Sequence, residues 1–188
     1  VLAGFENLCP QFHLSLQSGS DTVLQRMHRK YDTARYLDSV RLLNEYFPGC
    51  AVTTDLIVAF PGETEEEFQE SLDFIRRCQL AKVHVFPYSR REGTPAAQMP
   101  GQHSNATKEA RSAAACQVAA ELETAYEEAM VGQTVPVLFE QVEHGHFTGH
   151  APNYVKVYAK GEGLQNQVLP VRIQESCRDG VRGEILLK

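Results

Sequence analysis

The chain has 188 residues, 43% of them hydrophobic, with a formal net charge of −6 and five cysteines. That apolar content supports a buried core and excludes wholesale disorder, and no run of ~18 apolar residues offers a membrane span. Residues 1–130 carry 12 Lys/Arg against 18 Asp/Glu and residues 131–188 carry six of each. That balance does not mark a nucleic-acid binder, and any such contact would use local patches rather than a global basic field.

Val1–Phe5 has no initiator Met and no basic segment before an apolar one, so it does not read as a secretory signal and reads instead as the interior of a longer polypeptide. Cys9, Cys50, Cys78, Cys116 and Cys177 are odd in number and widely spaced. They fit neither a disulfide framework nor a zinc ribbon, and reduced thiols point to the cytoplasm.

In chain order, Phe12–Leu16 has a strand pattern that runs into Gln17-Ser18-Gly19-Ser20, where Ser20 is placed to cap a helix from Asp21. A second helix follows Asp32, with Tyr36, Leu37, Val40, Leu43 and Phe47 on one face, and Pro48-Gly49 ends it. Val52–Phe60 reads as a strand whose continuous apolar second half indicates burial on both faces. Thr64 and Glu67 form a capping box ahead of a helix that buries Phe68, Leu72 and Ile75. Val83–Tyr88 is a third strand, and Pro87 marks it as an edge or bulged strand. Strand and helix alternate at the spacing of a parallel β/α unit, the last three strands of an open partial barrel.

A long amphipathic helix is expected from about residue 104 to 130, with Ala110, Ala114, Val118, Leu122 and Ala125 on its apolar stripe. Beyond Val131-Gly132 the composition changes. Thr134–Glu140, Tyr154–Ala159 and Gln167–Ile173 are short strand candidates between breaks at Gly145, Gly149, Gly161-Gly163 and Gly180. Such spacing suggests a small all-β barrel of the oligonucleotide-binding type. The fold class expected is α/β over residues 1–130, followed by a β-barrel over 131–188.

Four motifs stand in order: His13–Ser20 (HLSLQSGS), Met27–Tyr31 (MHRKY), Thr54–Thr64 (TDLIVAFPGET) and Tyr88–Ala96 (YSRREGTPA). Together they resemble the C-terminal half of the radical S-adenosylmethionine barrel of the methylthiotransferases. The segment from Gly132 resembles their terminal TRAM domain, an RNA-binding β-barrel. Cys9, Ser15-Leu16 and His84-Val85-Phe86 make the chain look most like the tRNA threonylcarbamoyladenosine methylthiotransferases.

The resemblance implies a cytoplasmic enzyme that adds a methylthio group to C2 of N6-threonylcarbamoyladenosine beside the anticodon, using S-adenosylmethionine and two 4Fe–4S clusters. Ribosomal-protein and isopentenyladenosine methylthiotransferases share the architecture, and a non-catalytic RNA-binding module is the alternative from another class. The family's C-x3-C-x2-C run is not present in these 188 residues. Cluster ligands are therefore expected outside this chain, and the chain alone is expected to be inactive.

Strand C-termini of a β/α barrel carry its site, and they select the cofactor candidates. The resemblance assigns Gln17 and Ser18 to S-adenosylmethionine, with a turn and helix cap as the other reading. Arg29 either clamps the methionine carboxylate or forms a surface salt bridge, and Tyr31 either joins it or packs under the helix. Asp55 lies in an apolar strand and needs a partner or a ligand, since an unpaired buried carboxylate is costly. Phe86, Pro87 and Tyr88 either wall the adenine or pack in the core.

In the barrel, Tyr154, Lys156 and Tyr158 alternate by two and share a face, which with Lys160 and Arg172 forms the expected RNA surface. The alternative is tyrosines in the core and a solvated Lys156. Arg26, Arg29, Lys30 and Arg35 form a basic cluster facing RNA, cofactor or solvent. His144, His146 and His150 have metal-like spacing without an evident Cys or carboxylate partner, and no metal site is assigned there.

Overall fold

The computed structural model describes residues 4–5, 7–177 and 179–186. Residues 12–48 and 52–123 form one compact unit; the described residues of 124–186, with those up to residue 11 and 49–51, form the second.

The first unit is built on β1 (Gln11–His13), α1 (Asp21–Arg26), α2 (Thr33–Tyr46), β2 (Ala51–Val58), α3 (Glu65–Cys78), β3 (Lys82–Pro87), α4 (Pro95–Gln98) and α5 (Asn105–Glu128), of which the end residues Gln11, Ala51 and 124–128 count with the second unit. Its sheet has the order β1-β2-β3, and β2 pairs with β3 in parallel from Thr53↔Lys82 to Val58↔Pro87. β3 lies at the edge of this sheet, as its proline suggests.

β1 is shorter than its sequence pattern because Thr54 interrupts the ladder. The Thr54 hydroxyl donates to Leu14 O and accepts from Leu16 N–H at 2.9 Å. The pairing resumes at Gln17, whose N–H donates to Asp55 O and whose carbonyl accepts from Ile57 N–H, both at 2.9 Å.

Asp32 caps α2 by accepting from Arg35 N–H at 2.8 Å. Tyr36 and Val40 are buried, whereas Leu37, Leu43 and Phe47 are half-buried. The capping box of α3 is present in both directions. Phe68, Leu72 and Ile75 are buried as expected, joined by Phe74 and Cys78. Full burial of a side chain such as Ile75 contributes about 1.5–3 kcal/mol.

Ser20 sits at the N-cap of α1, but its hydroxyl makes no cap bond. It donates instead to Glu70 Oε2 at 2.6 Å, tying the loop to α3. Gly19 allows this approach: a Cβ there would lie 2.7 Å from Ser71 Cα and from Phe74 Cβ.

The stripe of α5 is rotated from the expected one. Arg111, Ala115, Val118, Ala119 and Glu127 are buried, Leu122 is half-buried, and Ala110 and Ala125 are exposed. Alanine at so many positions leaves the phase ambiguous, and a buried arginine sets it. No helix among the described residues is long and apolar enough to cross a membrane.

The second unit is a closed five-stranded barrel, ordered β4-β5-β6-β8-β7, of β4 (Thr134–Glu143), β5 (His146–His150), β6 (Lys156–Ala159), β7 (Val168–Cys177) and β8 (Gly180–Ile185). All its pairs are antiparallel except β6 with β8. Alternate residues point inward, so Val137, Phe139, Val157, Val171, Ile173 and Val181 form the core with Met130. Bulges after Phe139 and Ile173 bend the two longest strands around it.

Two of these strands, β5 and β8, replace what the sequence reads as glycine-rich breaks. His144 and Gly145 have φ of 49° and 77°, and this two-residue hairpin joins β4 to β5. Tyr126 belongs to the same unit: its hydroxyl donates to Gly49 O at 2.8 Å and accepts from Asn153 Nδ2 at 3.0 Å.

Candidate functional site

The C-terminal ends of β2 and β3 and the loop after β1 enclose a cleft of about 590 Å³. Clefts of this size accommodate nucleoside-sized ligands. Ile57, Phe60, Phe86 and Met99 supply apolar and aromatic lining; the polar groups include Gln17, Asp55, Arg26, Arg29 and Arg91. Phe86 is 50% exposed, leaving its ring at the mouth, while Tyr88 is buried edge-on against Phe60 at 5.3 Å.

Gln17 reaches the cleft through a left-handed backbone turn (φ 71°) held by the Asp55 and Ile57 bonds. Asp55 is not a buried charge: its side chain is 31% exposed and pairs with His13 Nε2 at 3.4 Å. The penalty that demands a partner in an apolar strand is therefore relieved by solvent and by His13. Tyr31 stands behind the loop, its hydroxyl donating to Ser15 O at 2.7 Å and to Leu16 O at 2.9 Å.

Ser18 does not join this group. Its hydroxyl is buried against Ser71 Oγ at 3.2 Å and accepts from Ser20 N–H at 3.2 Å. It shapes the loop that presents Gln17 and does not line the cleft. Within the basic cluster, Arg26 is held by Glu67 and Pro61 O, whereas Arg29 is exposed on the cleft wall. Burial works to raise the Glu67 carboxyl, but hydrogen bonds from Arg26, Thr22 and Thr64 N–H outweigh it and hold it below its ordinary value.

Sequence reasoning missed the group that fixes the end of β2. Ala59 turns into the left-handed region (φ 57°), and its N–H donates to buried Glu63 Oε2 at 2.6 Å. Arg111, from 48 residues away, donates to the same carboxylate at 2.8 Å and to Glu63 O at 3.0 Å, with its guanidinium 5.2 Å from the Phe68 ring. Burial pushes the Glu63 carboxyl up, opposed by the Ala59 N–H and Arg111. This pair anchors the turn that carries Phe60 into the cleft. Its only sequence signal is a lone arginine on an alanine-rich stripe.

On the barrel, the expected aromatic and basic face is divided. Tyr154 precedes β6 in a turn (φ 65°), is 67% exposed, and lies 5.9 Å from the His150 ring. It does not continue the alternation of Lys156 and Tyr158. Lys156 donates to Glu143 at 2.7 Å and to Asp179 at 3.4 Å, and the buried Tyr158 donates to Asp179 at 2.6 Å. Glu143, then Tyr158 and Asp179, push the Lys156 ammonium above its ordinary value, so its charge is neutralised locally.

Lys160 and Arg172 are exposed. Lys160 lines a shallow cleft of about 950 Å³ on the barrel with His146, Gln174, Arg182 and Glu184; Arg172 is not among its lining residues and stands in register with Thr134 and Glu184. His150 does have a carboxylate partner, Glu140, at 2.5 Å.

The sequence matches a family model, the Radical SAM superfamily, over residues 2–75. The chain is 39% identical over 98% of its length to a tRNA-2-methylthio-N(6)-dimethylallyladenosine synthase of Symbiobacterium thermophilum, covering 40% of that protein. It is 40% identical over 92% of its length to a threonylcarbamoyladenosine tRNA methylthiotransferase of Bacillus subtilis, again covering 40%. A dimethylallyladenosine synthase of Oleidesulfovibrio alaskensis is 49% identical over 74% of the chain, which covers 30% of that protein. The chain thus spans less than half the length of these curated relatives.

Proposed function

Since the chain belongs to the radical S-adenosylmethionine methylthiotransferase family, we propose that it is the part of a tRNA-modifying enzyme that walls the cofactor and contacts the RNA. The observation that carries this reading is the cleft, which sets an aromatic and aliphatic wall opposite an exposed guanidinium and a carboxylate. These residues fit the cofactor: Ile57, Phe60 and Phe86 flank a purine, Arg29 takes the methionine carboxylate, and Gln17 and Asp55 take hydroxyl or ammonium groups. Tyr88 stiffens the wall from behind.

Bound there with iron–sulfur clusters, S-adenosylmethionine supplies the radical and methyl-transfer chemistry. The cluster ligands are proposed to come from residues outside this chain. The chain's own residues bind, orient and exclude water: Met27 and Met99 close the apolar side, and Ser18 with Ser71 holds the loop of Gln17. The five-stranded barrel is proposed to be a TRAM domain that docks tRNA through Lys160, Arg172 and the exposed ring of Tyr154. Lys156 holds the barrel together through Glu143 and Asp179 and contributes little to RNA affinity.

The proposed substrate is N6-threonylcarbamoyladenosine beside the anticodon, supported by the resemblance at Cys9, Ser15-Leu16 and His84–Phe86. A further guanidinium in the cleft, Arg91, suits the carboxylate of that substituent. The 49% identity to a dimethylallyladenosine synthase favours the second reading, in which N6-dimethylallyladenosine is the substrate. The full-length enzyme, with its clusters reconstituted and S-adenosylmethionine added, is offered tRNAs bearing each nucleoside, and digests are analysed by mass spectrometry. The methylthio product is expected on threonylcarbamoyladenosine. Product on dimethylallyladenosine alone would select the second reading, and product on neither would overturn both.

A further inference from the structure

Behind the strap that forms one lip of the cleft lies a second groove, of about 570 Å³, lined by Pro87–Arg90 and by the first two turns of α5. It shares Pro87, Tyr88 and Ser89 with the cleft, so the two are separated by the strap alone. Its charged groups are Arg90, Lys108 and Glu109.

Elsewhere in this unit many cations are held by carboxylates: Arg26 by Glu67, Arg41 by Asp38, Arg76 by Asp73, Lys82 by Glu123, and Arg111 by Glu63 and Glu65. Among the described residues, Arg90 and Lys108 have no such ion pair; Arg29, Lys30, Arg35, Arg77 and Arg91 share that property, so what distinguishes these two is that they stand together in one groove beside unpartnered hydroxyls. Lys108 Nζ is instead 5.6 Å from the centroid of the Tyr88 ring. Two hydroxyls in the groove wall, those of Tyr88 and Ser112, are buried without a hydrogen-bond partner. Buried polar groups are otherwise nearly always satisfied, so two unpartnered hydroxyls beside two cations that no carboxylate holds suit a ligand with acceptor oxygens.

We propose that this groove binds the phosphate backbone of the RNA next to the nucleotide held in the cleft, with Arg90 and Lys108 as the charged contacts. Phosphate supplies acceptors for guanidinium, ammonium and hydroxyl donors together. A nucleotide entering the cleft brings its flanking phosphates over the strap, which explains why the groove adjoins the cleft and faces the outer side of Tyr88. Glu109 is the opposing charge and moderates the affinity. The inference rests on the reading of the chain as an RNA-modifying enzyme.

The test uses the full-length enzyme and measures tRNA affinity as a function of salt for wild type, Arg90→Gln, Lys108→Gln and Glu109→Gln. Each cation lost is expected to weaken binding and to lower the slope of log K against log salt by about 1. Glu109→Gln is expected to tighten binding severalfold, a gain that misfolding cannot imitate. Arg90→Lys is expected to restore the salt slope, and binding of S-adenosylmethionine alone is expected to be the same in all variants. Unchanged affinity and slope in Arg90→Gln and Lys108→Gln, with wild type binding tRNA, would overturn the groove and leave the functional reading standing. No tRNA binding by wild type would overturn the functional reading and the groove with it.

Discussion

Arg111→Ala is expected to destabilise the first unit by about 3–5 kcal/mol, measured by urea denaturation at neutral pH, because it strands a buried carboxylate. Glu63 is 2% exposed and Arg111 7%, and the guanidinium binds both the carboxylate and the backbone carbonyl of Glu63. The deficit should depend on pH in a defined direction. Burial already raises Glu63 in the intact protein, and without Arg111 the folded value rises further, while the unfolded chain keeps about 4.3. A folded value above the unfolded one means that the folded state holds the proton more tightly. The loss is therefore smallest below the unfolded value and grows as pH rises through the folded one. A variant that removes both charges, Glu63→Gln with Arg111→Met, should recover most of the loss, since a neutral pair leaves no uncompensated ion. A deficit that is flat in pH, or a double variant as unstable as Arg111→Ala, would show that the pair is not the anchor of the β2 turn.

The second large effect is expected at Gly149 in the barrel. A Cβ there would lie 1.9 Å from Leu138 O, 2.6 Å from Leu138 C and 2.8 Å from Phe139 Cα. All three atoms are backbone of β4, so no side chain can rotate away, and β5 must leave its register with Phe139. Gly149→Ala is expected to cost about 3 kcal/mol or more, the upper end of overpacking. Gly145→Ala is the control: it has φ 77° but nothing within 4 Å, so backbone strain alone applies, about 1–2 kcal/mol. Urea midpoints of the two variants separate the cases. Equal losses would show that β5 yields where the packing says it cannot.

Gly149 also explains why part of the fold was hidden in the sequence. α2, α3 and β2 announce themselves through Asp32, the Thr64–Glu67 box and the apolar run Leu56–Phe60, each a local signal. β5 (His146–His150) and β8 (Gly180–Ile185) read as breaks because glycines stand where a neighbouring strand presses closest. Closure of a small barrel demands those glycines, and a window of a few residues cannot show which strand will press on them.

The cleft was more legible than the barrel surface. Gln17, Arg29, Asp55, Phe86 and Tyr88 all line it, because strand ends converge in a β/α unit whatever the side chains are. Ser18, which the resemblance pairs with Gln17, lies instead within the loop, since its neighbour Gly19 seats that loop on Ser71. Lys156 alternates with Tyr158 as expected, but Glu143 of β4 and Asp179, just ahead of β8, hold its ammonium, and only the folded barrel brings them together. The Glu63–Arg111 pair was invisible for the same reason, being a contact across 48 residues.

Binding of S-adenosylmethionine to the cleft is the claim on which the rest depends. Titration of the full-length enzyme with labelled S-adenosylmethionine, in wild type and Arg29→Ala, tests it without requiring turnover. Loss of a charge-assisted bidentate contact is worth about 1.5–3 kcal/mol, so Arg29→Ala should weaken binding by roughly 10- to 150-fold while the thermal midpoint of this exposed position stays put. Equal affinity in the two proteins would contradict the assignment of the cleft.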